Sequence, residues 1–240
     1  MIVVINKKIA IFVIIAVVLV LIAGFIFLGR TKAKVASSYN VVAPEPIRRG
    51  NEDSKYIAFA CNVDWGNEVL PDILKTLNDE KIKITFFVTG RWAEKFPDLM
   101  QQIVDNGHEI GSHGYQHLNY ETLSLEQNTE QIRKAGEILS KHTKKEITLF
   151  APPSGAYNKN TLIASEKLGY KTILWTMDTI DWRAGSTKDV IIDRILSKDG
   201  FSGAIVLMHP MPETAKALPV LIESMHEKGL KVGTVSDVLK

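Results

Sequence analysis

The feature that most constrains the fold is an alternation of short apolar segments with amphipathic stretches, which begins near residue 56 and runs to the end of the chain. The apolar segments are rich in Ile, Val, Phe and Thr, and glycines stand where the intervening helices would end. Ser124 followed by Gln127 predicts a capping box at the start of one of these helices. About seven strands separated by helices are typical of a parallel α/β sheet, closed as an irregular barrel or left open. The predicted strands are residues 56–61, 83–88, 108–111, 147–150, 171–176, 203–208 and 230–233.

The N-terminal segment differs in composition from the rest of the chain. Residues 9–29 carry no charged side chain, and a helix of that length rises about 30 Å, the thickness of a hydrocarbon core. The segment predicts a transmembrane anchor within residues 1–30. A cleaved signal peptide is the alternative, although Lys34 stands where a small residue is expected before a cleavage point after Ala36. Basic residues flank the run on both sides, so they do not set its orientation.

The polar segment of residues 31–55 shows neither strand nor helix periodicity and is interpreted as a tether. Residues 56–240 are then long enough for one domain with a sizeable core. The formal net charge of +2 indicates no nucleic-acid partner, and the single cysteine, Cys61, excludes an internal disulfide.

Five polar clusters each follow a predicted strand. In parallel sheets and barrels the carboxyl ends of the strands form the ligand-binding face, so we expect residues distant in sequence to converge on one pocket. The clusters are residues 62–66, 113–117, 151–155, 178–182 and 209–210.

His113 and His117 stand four residues apart directly after the third strand. If a helix begins there, both side chains lie on one face and can bind one metal ion. Two solvated loop histidines are the alternative, because this spacing is common.

The other cluster residues have two interpretations each. His209 ends an apolar run and is either a strand-terminal histidine or a functional one. Asp178 and Asp181 could cap helices or turns, which is the favoured interpretation for Asp181. Trp65 and Trp182 could belong to the core, but Trp182 adjoins a loop acid and is the best candidate for a wall that stacks on a sugar ring.

In this order the clusters resemble the motifs of the NodB-homology polysaccharide deacetylases, carbohydrate esterase family 4. Residues 112–117, Ser-His-Gly-Tyr-Gln-His, are similar to the second motif, and residues 152–158 to the third. Residues 175–182 are similar to the fourth motif, and residues 207–209 to the fifth. The resemblance covers nearly the whole chain after the tether and implies an irregular (β/α)7-type barrel.

The resemblance also implies an activity, namely hydrolysis of the N-acetyl amide of a cell-wall glycan by a monomeric domain. The anchor would then hold this domain at the cell membrane, on its extracytoplasmic side. In the family a divalent metal, often zinc, polarises the acetamide carbonyl and activates water. The roles implied for this chain are metal ligands (His113 and His117), general acid (His209), its orienting partner (Asp178), oxyanion donor (the N–H of Ser154) and further substrate contacts (Pro153, Trp182 and Trp65).

The first motif departs from the family pattern. The alignment places Asn62 on the catalytic base and Val63 on the metal-binding aspartate, while Ala151 replaces the arginine that pairs with the base. An amide cannot accept the proton of water at neutral pH, and valine cannot bind a metal. Asp64 lies two residues after Asn62, on the same side of an extended chain, and is favoured as a replacement metal ligand over a displaced base or a turn residue.

Two functional classes follow from these residues. The favoured class is a metal-dependent deacetylase of N-acetylated glycan, weakened by the replacements in the first and third motifs. The alternative is a catalytically impaired glycan-binding or spore-envelope protein of the same fold, since the Trp65-Gly66 pair resembles the sporulation-type branch. An amide hydrolase that acts on something other than sugar is a third class. A carboxylate within one water of the metal would distinguish the first class from the second.

Overall fold

The computed structural model describes residues 17–22, 24 and 44–240. Residues 17–22 and 24 are helical, and Ala43–Lys240 form one compact unit. Within the described residues, no helix combines the length and the apolar character needed to cross a bilayer. Most of the predicted anchor and tether lies outside the described residues, so both stay predictions.

The strands form one sheet, and every pair of neighbouring strands is parallel. The order is β5-β4-β3-β2-β1-β7-β6, with β8 paired to the first part of β1, and the sheet curls into a half-barrel. The strands are β1 (Tyr56–Val63), β2 (Thr85–Val88), β3 (Glu109–Ser112), β4 (Leu149–Phe150), β5 (Lys171–Thr172), β6 (Met177–Asp178), β7 (Ile205–Met208) and β8 (Lys231–Gly233).

Helices follow most strands, as the alternation predicted. The longest begins at the predicted capping box, where the Ser124 hydroxyl accepts from the Gln127 N–H at 3.2 Å and the Gln127 side chain accepts from the Ser124 N–H at 2.9 Å. The helices are α1 (Leu70–Asp79), α2 (Gly90–Lys95), α3 (Pro97–Asp105), α4 (Leu125–Thr143), α5 (Lys159–Lys167), α6 (Lys188–Leu196), α7 (Pro212–Glu227) and α8 (Val235–Val238).

Strand β1 divides the core into two sides. Ile57, Phe59 and Val63 pack with the apolar residues of the surrounding helices, whereas Ala58 and Ala60 belong to the cluster inside the half-barrel. Because side chains alternate along a strand, Asn62 continues the interior row. The pattern therefore directs Asn62 toward the mouth of the half-barrel and buries Val63 on the helix side.

The predicted strand of residues 171–176 is not one strand. Its first two residues form β5 and pair with β4. The next strand, β6, begins only at Met177, pairs with β7 and lies at the opposite end of the sheet order. Between them, Ile47 pairs with Ile173, and the Ile47 N–H donates to the Thr172 carbonyl at 2.8 Å. The prediction was wrong here because apolar, β-branched residues continue through the segment while the hydrogen-bond partners change.

Residues 47–50 lie within the expected tether and pair with the sheet. Arg49 forms an antiparallel bridge with Ala204, and its Nη1 donates to the carbonyls of Gly200 and Ser202 at 2.7 and 2.8 Å. The Gly50 N–H donates to the carbonyl of Gly203 at 2.7 Å. This segment thus connects the end of β5 to the start of β7.

Candidate active site

A cleft of about 380 Å³ opens at the carboxyl ends of the strands. All five polar clusters contribute to it, as expected for the ligand-binding end of a parallel sheet. Its lining residues are Asn62, Trp65, His113, His117, Ser154, Trp175, Asp178, Trp182, Leu207 and His209.

His113 and His117 meet in this cleft with their ring centroids 5.1 Å apart. They lie on a loop and not on a helix, and the left-handed conformations of Gly114 (φ 73°) and His117 (φ 54°) turn the chain so that the rings approach. His113 Nδ1 donates to the Ala151 carbonyl at 2.7 Å, which leaves Nε2 as its free nitrogen. Burial, and then the neighbouring His117, lower the pKa of His113 to about 3. Burial also lowers the pKa of His117, so both rings are neutral at pH 7.

His209 is held by Asp181. Its Nδ1 lies 2.7 Å from Asp181 Oδ1, and its backbone N–H donates to Asp181 Oδ2, also at 2.7 Å. The Thr214 hydroxyl donates to the same Oδ2 at 2.6 Å. Burial raises the pKa of Asp181, but the hydrogen bond and charge of His209 outweigh burial, so this pKa lies below its usual value. An ionised Asp181 therefore orients the imidazole and leaves Nε2 free.

The prediction that Asp178 orients His209 was therefore wrong. Asp178 ends β6, lines the cleft and accepts from the Ile180 N–H at 2.8 Å. Ile180 then adopts a left-handed conformation (φ 49°), and the next residue, Asp181, is 3% exposed beneath His209. Two aspartates three residues apart cannot be assigned from sequence, because the turn between them decides which one faces the histidine.

The positions aligned with the base and its arginine are apolar or neutral. Asn62 is 4% exposed, and among the described residues its Oδ1 has no hydrogen-bond partner. Ala151 is buried, and its carbonyl receives the His113 hydrogen bond. The cleft thus presents an unpaired amide oxygen where the family pattern has a carboxylate.

Asp64 is not a free carboxylate in the cleft. Its Oδ1 accepts from the Thr89 hydroxyl at 2.7 Å and from Arg91 Nε at 2.8 Å, and its Oδ2 pairs with Arg91 Nη2. Burial raises the pKa of Asp64, but the hydrogen bonds from Arg91 and Thr89 outweigh burial, so this pKa lies below its usual value. In residues 17–22, 24 and 44–240, no three His, Cys, Asp or Glu side chains are grouped to hold a metal. The structure therefore does not support Asp64 as the third ligand.

Three tryptophans surround the cleft. Trp182 and Trp65 are 53% and 38% exposed, which fits surfaces that a ligand can cover. Trp175 also lines the cleft. Ser154 lines it as well, while Pro153 is buried beside it and is not a lining residue.

Backbone strain is concentrated at this cleft. Of the five non-glycine residues with positive φ in the described chain, three are His117, Ser154 and Ile180. Such conformations cost about 1–3 kcal/mol each and persist where surrounding structure enforces them, commonly at functional sites.

Comparisons with known proteins identify the family. Residues 49–173 match the polysaccharide deacetylase family model. The chain is 40% identical over 198 residues to the uncharacterized protein YlxY of Bacillus subtilis, and the match covers 82% of this chain and 61% of that protein. The chain belongs to the polysaccharide deacetylase family.

Other polysaccharide deacetylase relatives carry more informative names. Peptidoglycan-N-acetylmuramic acid deacetylase PdaA of Bacillus subtilis is 28% identical, and the match covers 79% of this chain and 73% of that protein. A crystal structure of a carbohydrate esterase family 4 pseudoenzyme from Bacillus anthracis superimposes with a TM-score of 0.79 at 38% identity, covering 83% of this chain and 70% of that one. A mutant of that pseudoenzyme, with restored enzymatic activity, superimposes equally well at 37% identity, covering 83% of this chain and 72% of that one.

Proposed function

We propose that this domain binds an N-acetylated cell-wall glycan in the cleft and that its amide hydrolysis is impaired at the proton-accepting position. The supporting observation is Asn62, whose unpaired Oδ1 lies in the cleft where the family pattern has a base. An amide has no basic lone pair at neutral pH, so it cannot take the proton from an attacking water. Relatives named as peptidoglycan deacetylases support the glycan class.

The remaining residues suit recognition of an acetamido sugar. Trp182 offers an exposed, flat apolar face on which a pyranose ring can stack. The N–H of Ser154 can donate to the acetamide oxygen, and its left-handed backbone fixes the direction of that donor. His209, oriented by Asp181 on Nδ1, can donate a proton from Nε2 to a departing amine.

The metal that the family implies would be bound by His113 and His117. Two buried or half-buried neutral imidazoles fit a divalent ion such as Zn²⁺, and the Ala151 carbonyl fixes the tautomer of one of them. When bound, such an ion polarises the acetamide carbonyl and lowers the pKa of water. With two imidazoles and no third protein ligand in the described chain, the affinity should be below that of a three-ligand site, so a chelator should remove the metal.

A weak deacetylase is the second candidate function. The observation that favours it is Asp178, the one carboxylate among the lining residues in the described chain. Asp178 could accept a proton through an intervening water, and the His209–Asp181 pair would supply the acid. Under this candidate Asp178→Asn abolishes the activity of the parent protein.

Acetate release from peptidoglycan fragments and acetylated chito-oligosaccharides, with Zn²⁺ present, tests both candidates. If Asn62 blocks hydrolysis, Asn62→Asp should raise the rate by about 10²–10⁴-fold, the usual contribution of a general base. Adding Ala151→Arg should raise it further by pairing the new charge, whereas Asn62→Gln, which keeps an amide, is the matched control. Substantial parent activity, or no gain in either carboxylate variant with the fold intact, would reject the proposal.

We also propose that the predicted anchor holds the domain outside the cell membrane, close to the wall glycan that it binds. Protease added to intact, wall-stripped cells should then remove the domain and leave a membrane-bound stub. Protection of the domain until the cells are lysed would contradict this location.

A further inference from the structure

The indole of Trp65 lies against two histidines of the cleft, the candidate acid His209 and the candidate metal ligand His117. It stacks on His209 with ring centroids 5.5 Å apart and an interplanar angle of 11°, and it meets His117 edge to face with centroids 5.8 Å apart. Both distances fall in the range of favourable aromatic pairs. An atom inserted between two parallel rings needs about 3.5 Å on each side, or roughly 7 Å in all. No ligand or water atom therefore fits between Trp65 and His209.

The loop that carries Trp65 is fixed on both sides of it. Asp64 accepts hydrogen bonds from Thr89 and Arg91. The Asn67 side chain accepts from the indole N–H of Trp92, which is buried in α2, at 3.0 Å. Gly66 has a left-handed φ of 80° and lies against the residue after His209, so a Cβ on it would stand 2.2 Å from the Pro210 carbonyl oxygen. The residues on both sides of Trp65 are thus held by contacts that do not involve the side chains of His209 and His117.

We propose that Trp65 is a positioning residue that sets His209 relative to His117. Asp181 fixes one edge of the His209 ring through Nδ1, and Trp65 fixes its face, so Nε2 is directed by two independent contacts. The same indole contacts His117 and therefore links the proton donor to the metal-binding pair. This inference rests on the proposed function of the cleft. The positioning role also gives a reason for the bonds of Asp64 with Thr89 and Arg91, because they fix the residue that precedes Trp65.

Chemical modification tests the contact without requiring activity. The full-length protein, kept in chelator, is treated with diethyl pyrocarbonate, and modification of each histidine is followed by peptide mass spectrometry. Trp65→Ala and Trp65→Leu should each make His209 and His117 react severalfold faster, while Trp65→Phe, which retains a flat ring, should stay near the parent rate. Val190→Ala is the control, since Val190 is a comparably exposed apolar residue in α6. Unchanged His209 reactivity in both non-aromatic variants, with unchanged melting temperatures, would overturn the proposal.

Kinetics in the Asn62→Asp background separate positioning from sugar binding. If Trp65 positions His209, Trp65→Ala should lower kcat by about 10²-fold, the typical effect of a small misplacement, with little change in KM. Trp65→Phe should recover most of the rate. A raised KM with unchanged kcat would mean that Trp65 only stacks on the glycan, which overturns the proposal. If Asn62→Asp is itself inactive, the proposed function fails, while the modification experiment still decides the role of Trp65.

Discussion

Asn62 and Asp64 are two residues apart at the end of β1 and have opposite surroundings. The amide oxygen of Asn62 is buried in the cleft, and the structure shows no partner for it among the described residues, whereas both carboxylate oxygens of Asp64 are engaged by Thr89 and Arg91. An unpaired buried polar atom costs free energy that a paired one does not, so Asn62 stands ready for a ligand or water. Asp64 instead contributes to the stability of the loop.

Replacement of Asp64 should therefore affect folding more than metal binding. Asp64→Asn removes the charge that Arg91 pairs with and should lower the free energy of unfolding by about 1–3 kcal/mol, as for a buried hydrogen-bonded group. Asp79→Asn, which affects only an exposed pair with Lys75, is the control and should change stability little. Urea unfolding measures stability and Zn²⁺ titration measures affinity. Loss of Zn²⁺ binding in Asp64→Asn, without loss of stability, would restore Asp64 as a ligand.

The ends of the elements explain where the chain tolerates left-handed backbone. Lys144 follows the last turn of α4 with φ 54°, and Lys81 comes soon after α1 with φ 56°. At such positions glycine is the usual residue, because it has no Cβ to clash in this conformation. At the cleft the same conformation occurs at His117 and Ser154, which line it, and at Ile180, whose N–H donates to Asp178.

Glycine at the end of α4 should stabilise the protein. Relief of the left-handed penalty, about 1–2 kcal/mol, exceeds the chain-entropy cost of glycine, so Lys144→Gly should raise the free energy of unfolding by about 0.5–1 kcal/mol. Lys141→Gly, inside the same helix, is the matched control and should lower it by about 1 kcal/mol. Chemical denaturation of the two variants and the parent measures both changes in the free energy of unfolding. Equal losses in the two variants would contradict the assigned helix end.

The folded domain as a whole should be sensitive to acid, because two histidines are buried in neutral form. Burial lowers the pKa of His108 from 6.5 to about 4, and that of His113 to about 3. Below pH 6.5 these two histidines bind protons in the unfolded chain but not in the folded protein. Their contribution to stability is therefore fully present above that pH and is lost as the pH falls toward the folded pKa values.

Urea unfolding in chelator between pH 7 and pH 4 tests this expectation. The free energy of unfolding should fall as the pH decreases, by up to about 1.4 kcal/mol per pH unit for each histidine. His108→Gln, which removes one of these two buried titrating groups, should flatten part of the slope. A stability that is constant down to pH 4 would mean that these histidines are accessible to protons when folded.

The start of the domain can be tested by truncation. A protein that begins at residue 43 retains the contacts of Ile47, Arg49 and Gly50 with the sheet, and one that begins at residue 54 loses them. At about 1 kcal/mol net for each hydrogen bond, the shorter protein should be less stable by about 2–4 kcal/mol. Equal melting temperatures for the two truncations would show that residues 43–53 behave as a tether.

The sequence by itself determined the parallel α/β architecture and the place of the cleft. Strand and helix periodicities are local properties, and the carboxyl ends of parallel strands share one edge of the sheet. Five clusters that are distant in sequence are therefore expected to lie together at that edge. The alternation along β1 likewise directs Asn62 inward. The capping box at Ser124 is local in the same sense and was correctly predicted.

Only the tertiary structure decided which polar group serves which partner. Asp181 and not Asp178 supports His209 because the left-handed turn at Ile180 directs the chain beneath the histidine. Asp64 is bound by Arg91, which is 27 residues further along and on a different element. Residues 171–172 pair with β4, whereas the Thr176 N–H donates to the carbonyl of Ile205 in β7 at 3.0 Å. Side-chain type and spacing define what a residue can bind, but the partner is chosen by packing between segments that are distant in sequence.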